Sequence, residues 1–261
     1  MIEEPYRWVE AVANRREYIE TQLGPGSPIA GVSFRDGIVL VTLGRTRQKL
    51  FEIYDRIAMG AIGHPGDIER LRMAAIELAS TEGFTRSAAD VSLRRLAYYS
   101  LSPVLKAAFE QVYGAPFLAR LLFAEIGTTA DEDLFLPVEY DGAIMTSSSG
   151  TTADAAPLRF GALSGRRVST ELMEAYLQRE YEPSMTLTDA LNIALNACTV
   201  GKLALGEDGI RELMDEPAVA AERRKLLQPG AVEAALLDRD SARSIRYRSL
   251  TADEVSATIK T

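Results

Sequence analysis

The sequence predicts an α+β fold: a four-layer αββα sandwich of two antiparallel sheets flanked by helices, with an extra N-terminal helix. Three observations carry this. Apolar strand-like runs come in blocks separated by helix pairs, in the order helix, strands, two helices, strands, two helices, strands, helix. Within the blocks, tight-turn residues part neighbouring runs: Arg35-Asp36-Gly37, Tyr54-Asp55-Arg56 and Tyr140-Asp141-Gly142. An Asp-Gly between apolar runs is a strong short-range hairpin signal. No long linker and no repeat interrupts the chain, so 1–261 reads as one domain.

Each element has its own justification. Over 5–23, Trp8, Val9, Val12, Tyr18, Ile19 and Leu23 recur at helical spacing, with Arg15, Arg16, Glu17 and Glu20 opposite. Gly24-Pro25-Gly26-Ser27-Pro28 stops that helix. Strands follow over 29–34 and 37–42, then over 49–53 and 57–62. A helix over 66–81 carries Ile68, Leu71, Met73, Ala74, Ile76 and Leu78, with Asp67 and Glu69 in its first turn, where the helix dipole favours acids. A second helix over 87–112 should be kinked or divided by Pro103.

Strands are expected over 117–126 and 134–140, a small polar loop over 146–156, and a strand over 158–163. Helices follow over 168–181 and 186–200, the latter opened by the cap candidates Thr186 and Thr188. Residues 205–230 are highly charged and read as an exposed insertion with some helix. Strands over 231–237 and 244–250 and a helix over 251–259 close the fold.

Composition narrows the function. With 261 residues, 47% of them hydrophobic, the chain can bury a full core. A net charge of -8 offers no electrostatic footprint for nucleic acid. One cysteine, Cys198, excludes an internal disulfide framework and suits a reducing compartment. No apolar run approaches the ~20 residues of a membrane span, and the start Met1-Ile-Glu-Glu-Pro-Tyr is not a secretory signal. The expectation is a cytoplasmic protein that binds neither nucleic acid nor membrane. The single histidine, His64, follows Gly63 at a helix start, where capping explains it. One His and one Cys cannot build a zinc site, so no metal or cofactor is expected.

The order of elements and the residues at its joints resemble the proteasome family, whose members share the N-terminal-nucleophile hydrolase fold. The matching segments are the hairpin from Ile29 through Gly31 and Gly37, the stretch from Lys49 to Gly63, and Tyr140-Asp141-Gly142. Gly161-Ala-Leu-Ser-Gly165-Arg166 and Met185-Thr-Leu-Thr-Asp-Ala-Leu complete them. In catalytic members of that family a freed N-terminal threonine uses its own amine as base, helped by a lysine. The resemblance puts Ser27, after Gly26, at the nucleophile position and Lys49 at the lysine. Three features oppose catalysis. Leu43 stands where catalytic members carry the acid that orients the lysine. Pro28 stiffens the chain beside Ser27. Residues 1–23 read as a formed helix rather than a disposable propeptide. Gly150-Thr151-Thr152 mimics a cleavage dipeptide but lies mid-chain.

The same features fit the non-catalytic, alpha-type ring subunits, and here the pattern looks closest to the bacterial, actinobacterial type. That resemblance implies an outer homo-heptameric ring of a 20S core particle, stacked on proteasome beta subunits and admitting unfolded protein substrates. It implies that Lys49 and Gly63 dock the C-terminal tails of an AAA ATPase ring, a lysine suiting a terminal carboxylate and a glycine letting a backbone approach. It further implies that Met1, Ile2, Glu3, Glu4, Pro5 and Tyr6 form a gate. The alternative is a self-processing hydrolase that uses Ser27. The chain departs from the archaeal and eukaryotic alpha pattern in lacking a Tyr-Asp-Arg start, and its segments over 146–157 and 205–230 exceed the expected size.

Overall fold

A chain that buries both faces of its strands needs continuous apolar runs rather than alternation, and this one has them. The structure, a computed structural model, describes residues 5–44, 47–111, 113–145, 159–206, 208–227 and 231–259, with the main chain alone for 5–7. Strand β1 (Ile29–Phe34) turns through Arg35-Asp36 into β2 (Gly37–Leu43), with Phe34 opposite Gly37 and Ile29 opposite Thr42. With β7 (Phe160–Leu163), β8 (Val232–Asp238) and β9 (Tyr247–Ser249) they form one antiparallel sheet in the order β7-β1-β2-β8-β9. The second sheet has the order β3-β4-β5-β6, from β3 (Leu50–Tyr54), β4 (Ile57–Gly63), β5 (Ala119–Glu125) and β6 (Leu134–Val138).

Successive side chains on a strand point to opposite faces, and that periodicity sorts the core. On β2, Ile38 and Leu40 face the other sheet and pack with Leu50, Ile62, Leu122 and Phe135. Val39 and Val41 face outward, against Met173 and Leu177 of α5 (Arg167–Glu180) and Leu191 and Leu195 of α6 (Leu187–Ala204). On the far side, Met59, Leu121 and Phe123 pack under Leu71 and Ala75 of α2 (Pro65–Thr85). Gly31 and Gly161 sit opposite one another across β1 and β7, and a Cβ on either would lie within 3.1 Å of the Phe135 ring. The two glycines form the seat for that ring between the sheets. The predicted four layers are therefore present.

The extra helix is present too: α1 spans Pro5–Leu23 and packs Ile19 and Leu23 in one cluster with the touching rings of Phe109 and Tyr140. Two expectations change. The helix read over 87–112 is instead a 3-10 turn (Ala88–Asp90), α3 (Leu93–Arg95), a π-turn segment (Leu96–Leu101) and α4 (Ser102–Glu110). These last three segments run on without a break in αR backbone, so Pro103 lies just past the π turn inside one helical run, and the division expected of it falls in the turn before it. The charged 205–230 stretch is not wholly exposed. Its helix α7 (Glu216–Leu226), capped by Asp215, buries Val219 in the core beside α6. A last helix, α8 (Ala252–Ile259), anchors through Val255. The loop read over 146–156, with Thr151, lies outside the described residues.

Candidate functional site

The breaker Gly24-Pro25-Gly26 ends α1 at one end of the sandwich, and the heads of β3 and α2 lie beside it. Together they enclose a pocket of about 410 Å³, lined among others by Leu23, Ser27, Lys49, Phe51, Gly63 and Glu69. The three residues singled out from the sequence, Ser27, Lys49 and Gly63, thus meet at one pocket.

Lys49 is half-buried where the chain enters β3. A Cβ at Gly44 would lie 3.8 Å from its Nζ, so the ammonium sits beside the end of β2. Burial pushes the Lys49 pKa below the usual lysine value, and the Glu233 carboxylate opposes that shift. Glu233 went unnoticed in the sequence. It stands on β8 opposite Thr42 and accepts N–H bonds from Lys49 (3.1 and 3.0 Å) and Leu50 (2.9 Å). The signal that could have found it is one acid inside the otherwise apolar run of 231–237.

Gly63 has a local reason to be glycine. Its φ is +141°, and a Cβ there would fall 2.0 Å from the Leu118 carbonyl oxygen. His64 donates its N–H to that same carbonyl at 2.7 Å, and its Nδ1 accepts from the Gly66 N–H at 3.2 Å, capping α2. Leu43, the residue whose lack of an acid weighed against catalysis in the sequence, is buried among apolar side chains. After Ser27, the Pro28 carbonyl accepts from Thr42 Oγ1 at 2.8 Å, which ties this connection to β2. Cys198 is fully buried, and burial pushes its thiol up to about 12, so it offers no nucleophile. Among the described residues, no group of His, Cys, Asp and Glu could hold a metal ion. No described helix is long and apolar enough to cross a membrane.

The second feature of this end is how α1 is held. Arg120, a lone cation in the apolar β5 run, is 3% exposed. Its Nε donates to Glu139 at 2.7 Å, its Nη1 to the carbonyls of Gly165 (2.7 Å) and Ser164 (3.3 Å), and its Nη2 to Glu20 of α1 at 2.5 Å. Tyr140 Oη donates to the same Glu20 oxygen at 2.9 Å. Arg15 donates to the carbonyls of Phe109 and, at 2.8 Å, Gln111, and Arg16 pairs with Asp141 at 3.2 Å. Burial and the carboxylate partners act oppositely on Arg120, and its pKa ends above the usual arginine value. Of the expected gate, Met1, Ile2, Glu3 and Glu4 lie outside the described residues, while Pro5 and Tyr6 form the first turn of α1.

Two antiparallel sheets between helix layers, with a lysine pocket at one end and a helix fastened there, define the proteasome-type sandwich. The chain belongs to the proteasome subunit family: the family model described as "Proteasome subunit" matches residues 25–204. Among curated proteins it is similar to proteasome subunits alpha of actinobacteria. It is 28% identical to that of Streptomyces avermitilis over 249 residues, covering 95% of this chain and 86% of the relative. It is 29% identical to that of Frankia alni over 238 residues (90% and 86%) and 27% identical to that of Streptomyces coelicolor over 249 residues (95% and 85%).

Proposed function

We propose that this chain is a non-catalytic, alpha-type subunit of the outer ring of a 20S proteasome core particle. The observation that carries the reading is the fastening of α1. A disposable propeptide has no need of a buried arginine, two carboxylates and a tyrosine hydroxyl to hold it, whereas a permanent ring helix does. Leu43, with no acid to offer, agrees. The similarity to actinobacterial alpha subunits supports the same assignment.

In this reading identical copies form a heptameric ring, and Trp8, Val9 and Tyr18, which α1 leaves 42%, 65% and 54% exposed, are available to a neighbouring copy. The α2–α4 face, with Tyr99 81% and Val104 49% exposed, meets the beta subunits, which supply the threonine-type peptidase. Residues 1–6 gate the entry of unfolded protein from the cytoplasm. The Lys49 pocket receives the C-terminal carboxylate of an ATPase tail, as a point charge on a partly desolvated lysine can. Gly63 contributes by leaving the rim of β4 without a side chain.

Two variants test this with the beta subunit co-expressed. Deleting residues 1–6 should raise peptide hydrolysis by the particle, and an unchanged rate would remove the gate. Lys49→Ala should assemble normally yet lose most ATPase-stimulated degradation, and full stimulation would remove the docking role. The competing reading, a self-processing hydrolase, rests on Ser27 sharing the pocket with Lys49. It requires cleavage after Gly26, which intact mass detects.

A further inference from the structure

We infer that Glu233 is the positioning residue of the Lys49 pocket, replacing from β8 the orienting acid that is absent at Leu43. The bearing of Glu233 on docking rests on the reading of Lys49 proposed above. Lys49 enters β3 from a connection that leaves β2 at Gly44, and β2 and β3 belong to different sheets. Something must fix that crossing. The Glu233 carboxylate does so from the far sheet: Oε1 accepts from both the Lys49 and Leu50 N–H groups, and Oε2 accepts from Lys49. The next bond along, from the Ala61 N–H to the Lys49 carbonyl at 3.0 Å, continues the β3–β4 pairing. The main chain on either side of the Lys49 Cα is therefore held, and its side chain is aimed from a fixed root. The same carboxylate is a counter-charge for the ammonium, opposing the like charge of Lys202.

Geometry and charge separate by substitution in the full-length chain. Glu233→Gln keeps an oxygen that can accept both N–H groups but loses the charge, while Glu233→Ala loses both. Amide hydrogen exchange of the 47–51 segment should be near wild type in Glu233→Gln and about tenfold faster in Glu233→Ala. Acylation of Lys49 by N-hydroxysuccinimidyl acetate at neutral pH, scored against exposed Lys106, should rise about threefold or more in Glu233→Gln, because the uncompensated ammonium gives up its proton more readily. Unchanged exchange in Glu233→Ala, or equal loss of protection in both variants, overturns the positioning role. An unaltered acylation rate in Glu233→Gln overturns the counter-charge, and that variant remains informative if Glu233→Ala does not fold. Neither readout involves an activator, so a Lys49→Ala particle that keeps its stimulation would refute docking and leave Glu233 standing.

Discussion

Replacing Glu20 by Ala removes the carboxylate through which α1 reaches Arg120 and Tyr140. Two bonds are lost, at 2.5 and 2.9 Å. The Glu20 side chain is 42% exposed, so its ion pair is screened and contributes ~0.2–1 kcal/mol. The tyrosine bond adds ~1 kcal/mol, since Tyr140 is only 5% exposed and its hydroxyl loses its acceptor. The sum is ~1–2 kcal/mol. Against it stand Ile19 and Leu23, both essentially fully buried, whose burial contributes ~1.5–3 kcal/mol each. The helix should therefore stay docked but open more often. Amide exchange over α1 should accelerate ~5–30-fold relative to the wild-type chain. Arg16→Ala is the control, because its pair with Asp141 is 55% exposed on the arginine side and contributes less than ~1 kcal/mol. If Glu20→Ala accelerates exchange no more than Arg16→Ala, the buried cluster does not hold α1 and the reasoning fails.

Two further outcomes follow from the pocket. Lys49 has a folded-state pKa below its unfolded value of ~10.4. Below the folded pKa both states hold the proton and the cost of burying the ammonium is fully present; as pH rises toward the unfolded value the native state releases its proton first and the cost fades. Lys49→Met should thus raise the Tm at neutral pH, with the gain shrinking as the pH rises toward about 10; a lower neutral-pH Tm would contradict this. Gly63→Ala forces a Cβ to 2.0 Å from the Leu118 oxygen at a φ of +141°. It should cost ~3 kcal/mol or more and lower the Tm by several degrees. A wild-type melting curve would contradict the geometry.

The layers were legible where punctuation and periodicity agreed. Gly24-Pro25-Gly26 ends α1 at Leu23, and Asp36-Gly37 sets the β1–β2 turn, as expected. Thr186 caps α6, its side chain accepting from Asp189 while Asp189 answers back. The segment over 87–112 misled because an apolar stripe cannot reveal a π-turn: the extra residue at Leu96–Leu101 changes the hydrogen-bond register without changing composition. Val219 was hidden among charges, since one apolar contact leaves no period. Of the site, Ser27, Lys49 and Gly63 were picked out by the family resemblance, and all three line one pocket. Arg120 and Glu233 were not, because each acts on partners about a hundred residues or more away: Glu20 in one case, Lys49 and Leu50 in the other. Both do leave one trace, a charge inside an apolar run: Arg120 within 117–124 and Glu233 within 231–237.

On the reading proposed above, α1 is a permanent part of a non-catalytic ring subunit. Intact and native mass spectrometry of the chain co-expressed with its neighbouring beta subunit tests it most directly. The expected outcome is a chain that retains α1, assembled in rings on the beta subunits, with peptidase activity that survives Ser27→Ala. A chain shortened to begin at Ser27, with activity abolished by Ser27→Ala, would contradict it.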